Sequence, residues 1–142
     1  IGLWDDIRKT VVPGHSVLTQ GNRVEIPRAL DGHYYLTALI NGKPIRFVVD
    51  TGASQIVLTA EDAKTAGIET ESLIFIGRAN TANGEVRTAP VRLETMRVGS
   101  ISDNGIAAVV NGGQMDGSLL GMTYLQRFSK VEISDGKLIL TR

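Results

Sequence analysis

The 142-residue chain carries fifteen basic and fifteen acidic residues, and 42% of it is hydrophobic against 21% charged. That balance fits one soluble globular domain with a real core, and it disfavours a disordered chain or a polybasic nucleic-acid or membrane-surface binder. Cysteine is absent, which excludes disulfides, thiolate nucleophiles and Cys-type zinc sites, and no apolar run is long enough for a transmembrane helix.

Residues 1–21 read as an N-terminal arm or linker. Leu3, Trp4 and Ile7 suggest a helical turn, and Pro13-Gly14 breaks it. The chain begins at Ile1 rather than Met, as a trimmed or processed piece would. The expectation is therefore a soluble domain over residues 22–142, membrane-tethered or periplasmic through an upstream anchor or signal segment in the full-length protein.

From Arg23 onward, alternation, β-branched residues and closely spaced glycine turns predict an all-β class. Within HYYLTALINGKPIRFVV, Asn41-Gly42 predicts a two-residue hairpin turn, because both central residues of that turn need positive φ. Such a turn sets Leu36 opposite Phe47 and Ala38 opposite Ile45 on one face, with Thr37 opposite Arg46 on the other. The second strand runs straight into Asp50. TAEDAKTAG predicts a short helix capped by Thr59, with Glu61 and Asp62 in its first turn and Gly67 at its exit. Residues 73–99 predict a long hairpin with Asn83-Gly84 at its tip, followed by a further strand. GIAAVV (residues 105–110) reads as a short buried strand and NGGQMDGS as a glycine-rich loop. SLLGMTYLQRF reads as a strand end entering a short helix, and KVEISDGKLILT as a closing hairpin around Asp135-Gly136.

Elimination narrows the chemistry. His15 and His33 are the only histidines, too few for a Ser-His-Asp arrangement or a His-rich metal site, so no metal is expected. The glycine cluster near residue 113 lacks the lysine of a phosphate cradle, no cofactor is expected, and aromatics are too sparse for a single-stranded nucleic-acid platform. Carboxylates remain. Asp50-Thr51-Gly52 alone is a weak signal, arising by chance in roughly a few per cent of chains this long. Its context adds weight: an apolar strand before it, small residues after it, then Ile56-Val57-Leu58, and much further on Leu119-Leu120-Gly121.

These features together resemble the retropepsin-type aspartic proteases, of the bacterial single-domain kind. The matching residues are VVDTGAS, the hairpin segment TANGEV (residues 81–86) and the phrase LLGMTYLQRF. The resemblance covers roughly residues 22–142. It implies a closed β-barrel half-lobe with a flap hairpin and one or two short helices, acting on polypeptide substrate. It also implies that Asp50 is catalytic, that Thr51 locks the active-site loops across a dimer axis, and that Gly52 admits close backbone approach. Ala53, Ser54, Asn83, Gly84, Leu119, Leu120 and Gly121 would then serve substrate binding. Hydrolysis by this route needs two carboxylates, and the chain has one Asp-[Ser/Thr]-Gly triplet, so a homodimer is required for activity.

Ala53 stands where pepsin-like lobes often carry a Ser, so activity is expected to extend to mildly acidic or near-neutral pH. Ser54 and Met122 replace an Asp–Arg pair usual in viral members, and the two charges are lost together. The terminal hairpin, residues 130–141, is expected to help build the dimer interface. A retropepsin-fold binding or dimerisation module without turnover is the main alternative, and an unrelated β-sandwich with a chance triplet is a third.

Overall fold

The computed structural model describes residues 17–81 and 84–142. Its first strands are β1 (Leu18–Gln20), β2 (Arg23–Pro27), β3 (Tyr35–Ile40), β4 (Lys43–Val49) and β5 (Val57–Leu58), after which comes helix α1 (Ala60–Thr65). A 3-10 turn (Thr70–Ser72) leads to β6 (Gly77–Thr81), β7 (Gly84–Val98), β8 (Ile101–Asn111) and β9 (Ser118–Leu120). Helix α2 (Met122–Leu125), β10 (Lys130–Ser134) and β11 (Lys137–Thr141) complete the order.

The first hairpin forms as its residue types require. Asn41 and Gly42 take φ of 53° and 84°, and Leu36–Phe47, Thr37–Arg46 and Ala38–Ile45 are partners across β3 and β4. Leu36, Ala38, Ile45 and Phe47 are consequently buried together, each large side chain contributing about 1.5–3 kcal/mol. Asn41 also works beyond the turn. Its Oδ1 accepts the Glu94 and Thr95 N–H groups (2.9 and 3.2 Å), and its Nδ2 donates to the Ala66 carbonyl (3.2 Å). One side chain thus ties the hairpin to β7 and to the end of α1.

Among the described residues the strands form two sheets. The larger runs β3-β4-β9-β5-β8-β7-β6 and is closed by an additional β3–β7 pairing; the smaller runs β1-β2-β11-β10. Closure removes free edges around the core. Val24, Ile26, Leu138 and Leu140 of the smaller sheet join Phe47, Leu58, Leu93, Met96, Val110, Leu120 and Leu125 in one apolar cluster. The all-β class and the retropepsin-like half-barrel are therefore what the chain adopts.

Differences from the sequence-based reading are local. Among the described residues strand structure begins at Leu18, ahead of the expected Arg23; the three residues of β1 are all exposed and carry no alternation to read. The long hairpin's ladder starts at Gly77, and residues 73–76 precede it without strand pairing. β8 reaches back to Ile101, since the turn-like residues Ser102–Asn104 stay in register with β7 past Gly105, which takes φ of 62°. The closing hairpin turns at Asp135-Gly136, with φ of 53° and 72°.

Candidate active site

The position of Asp50 follows from strand order. β9 runs parallel to β4 on one side and meets β5 on the other, so the chain leaving β4 must cross the end of β9 to enter β5. Residues 50–56 form that crossing. The Asp50 N–H donates to the Leu120 carbonyl (2.9 Å), and the Asp50 carbonyl accepts the Ala53 N–H (3.1 Å). Asp50 Oδ1 accepts the Gly52 N–H at 2.8 Å, which holds the carboxylate, half-buried, at the top of the turn. Thr51, Gly52 and Ser54 are exposed and Ala53 is half-buried. Among the described residues the Thr51 hydroxyl has no hydrogen-bond partner within the chain.

The second motif is built into the same loop. The Met122 and Thr123 N–H groups, at the start of α2, donate to the carbonyls of Ala53 and Ser54 (both 2.9 Å). Helix-start donors need such acceptors, and Gly121 at the N-cap has no side chain to supply one. A Cβ at Gly121 would lie 2.4 Å from the Gln55 carbonyl oxygen and 2.6 Å from that of Ala53. Glycine is the residue that lets these backbones meet. Leu120 is fully buried beneath them, so it supports the loop from the core and does not line the cleft.

The far end of the crossing is pinned separately. Buried Ser118 accepts the Thr59 N–H (3.1 Å) and donates to Asp62 Oδ2 (2.5 Å), while Thr59 Oγ1 caps α1 by accepting the Asp62 N–H (2.9 Å). The N-cap expected at Thr59 thus also fixes β9.

Beside the loop opens a cleft of about 210 Å³. Its lining combines Gly52, Ala53, Ser54 and Gln55 of the loop with Val57, Leu119 and Met115, Thr88 of β7, Asn111 of β8, and Arg78 and Ala79 of β6. The cleft brings together the expected Ala53, Ser54 and Leu119. Gly84 sits, exposed, at the start of β7 outside it, and Asn83 lies outside the described residues. Thr88, Asn111 and Met115 were not legible as site residues. For Thr88 and Asn111 the signal is strand register, which appears only once β7 and β8 are paired; Met115 lies in the loop between β8 and β9 and carries no such signal. Among the described residues no cluster of His, Asp and Glu could hold a metal.

Similarity to known proteins agrees with this geometry. A family described as gag-polyprotein putative aspartyl protease matches residues 36–127, the span from β3 through α2. The chain belongs to the retropepsin-like aspartic protease family. A solved retropepsin-like aspartic protease from Rickettsia conorii shares 40% identity and a TM-score of 0.77, over 85% of this chain and all of that one. An uncharacterized protein of Rickettsia prowazekii is 40% identical over 92% of this chain, which spans 56% of that relative's length. The EIAV protease, solved with the inhibitor HBY-793, shares the fold at 21% identity, with a TM-score of 0.59 over 69% of this chain and 89% of that one. In this retropepsin-like domain, the β6–β7 hairpin is the element whose inner face borders the Asp50 cleft.

Proposed function

We propose that the protein is an aspartic endopeptidase that works as a homodimer, with Asp50 from each copy forming the catalytic pair. The supporting observation is the half-buried Asp50 carboxylate, held by the Gly52 N–H at 2.8 Å at the edge of a cleft whose lining residues include no Asp or Glu to pair with it. One Asp50 accepts a proton from water as that water attacks the scissile carbonyl. The other, protonated, donates to the carbonyl oxygen. Two carboxyls a few ångströms apart cannot both ionise readily, so the pair shares a proton and titrates as a unit. Thr51 would bond across the two-fold axis, and the β6–β7 hairpin would cover an extended peptide and exclude water.

The smaller sheet offers a surface for the second copy. Val131 and Ile133 of the edge strand β10 pair with Leu140 and Leu138, and so lie on the face that β11 turns to the core. Yet they are 44% and 70% exposed. This overhanging apolar face needs a cover, and a second copy supplies one while completing the carboxylate pair.

The test is a matched pair, the native protein and Asp50→Asn, assayed on a peptide mixture between about pH 4 and 7. The proposal expects cleavage by the native protein, reaching near-neutral pH, and none by the variant. Equal cleavage by both would remove Asp50 from the chemistry. Cleavage by neither, with a dimer in solution, would favour a binding module.

A further inference from the structure

We infer that the cleft beside Asp50 has a hydrogen-bonding floor, with Asn111 and Thr88 selecting a peptide side chain that presents an amide or hydroxyl oxygen. The inference rests on reading that cleft as the peptide site.

Strand register puts both residues there. Val110 pairs with Leu58 and both are wholly buried in the core, so Asn111, the next residue of β8, falls on the opposite face. That face carries Val57 and Leu119, which are partners of each other and line the cleft. Thr88 is the antiparallel partner of Asn111 across β7 and β8 and shares its face. On its other side Thr88 pairs with Gly77 of β6, where a Cβ would come within 2.5 Å of Thr88 Oγ1. The missing side chain lets the hairpin lie directly against the hydroxyl.

Asn111 and Thr88 are only 2% and 4% exposed, and polar side chains that buried normally have all their partners. Asn111 Oδ1 accepts the Gly113 N–H at 2.6 Å, which fixes the orientation of the amide. Its Nδ2 donates to Met115 Sδ at 3.3 Å, a weak acceptor. Among the described residues the second amide N–H and the Thr88 hydroxyl meet no partner. Both residues belong to the lining of the cleft.

The walls from Val57, Ala79, Met115 and Leu119 suit the methylene stem of a short side chain, and the floor suits an oxygen at its tip. Leu or Val seated there would leave the Asn111 N–H and the Thr88 hydroxyl without partners, whereas Asn or Thr would satisfy them.

The experiment uses Asp50→Asn protein, so that peptides bind without turnover. Extended peptides identical except for Asn against Leu, or Thr against Val, at one scanned position are titrated and Kd is measured. At one position the Asn and Thr peptides should bind up to about tenfold more tightly than their isosteres. That ratio should fall several-fold when Asn111→Asp removes the donors but keeps an acceptor for Gly113, and again with the shape-preserving Thr88→Val. Equal affinities at every position, no binding of any peptide, or a ratio that survives both substitutions would overturn the inference. Cleavage by the native protein is measured apart from this, so a retained preference without turnover would count against the endopeptidase reading alone.

Discussion

Gly121 and Gly52 show how much of the candidate site depends on missing side chains. A Cβ at Gly52 would lie 3.2 Å from Asp50 Oδ1, tight but open to adjustment by a few tenths of an ångström. At Gly121 the obstacles are two backbone carbonyls at 2.4 and 2.6 Å, and neither can yield without moving the DTGAS loop. Gly121→Ala should therefore push residues 53–55 away from α2 and displace Asp50. The expected loss in kcat/KM is about 100-fold, as for a misplacement of roughly 1 Å, with about 1–3 kcal/mol of overpacking strain. Steady-state kinetics beside thermal melting would check this, and a variant as active and as stable as the native protein would contradict the account. LLG was legible as a motif. That its glycine spaces the DTGAS loop was not, because two carbonyls some seventy residues away in sequence create the requirement.

Helix α2 is short, and much of its anchoring comes from Tyr124, which is 1% exposed and meets the Phe128 ring edge-on at 5.3 Å. Burial pushes the Tyr124 phenol from 10.0 up to about 12, against the opposing pull of Arg142. The folded state therefore binds more protons than the unfolded state in this range. The contribution is fully present below pH 10 and is lost as pH rises towards about 12. The loss amounts to about 2 to 3 kcal/mol. Denaturant titrations at intervals across that window should show the native protein losing this much more stability than Tyr124→Phe; parallel curves would refute the assignment. What could be read in advance at this scale follows a physical divide. The β3–β4 register, the α1 cap and both Gly-containing turns depend on nearest neighbours and were visible in the chain. The Asn41 clamp on β7, the reach of β8 back to Ile101 and the cleft-facing side of Asn111 depend on strands that pair across long sequence separations, and these emerged only from the fold.

At the scale of the whole molecule, the closed barrel, the crossing loop and the overhanging β10 are the parts that the proposed homodimer would use. The barrel holds one Asp50 rigidly, and β10 exposes Val131 and Ile133 on a face that continues the core. A second copy would complete both the face and the carboxylate pair. The most direct measurement mixes native protein with increasing Asp50→Asn at constant total concentration, allows subunit exchange, and follows peptide cleavage. If each active unit needs Asp50 from both copies, activity should fall as the square of the native fraction. A strictly linear fall, from an active unit that sediments as a monomer, would contradict the account.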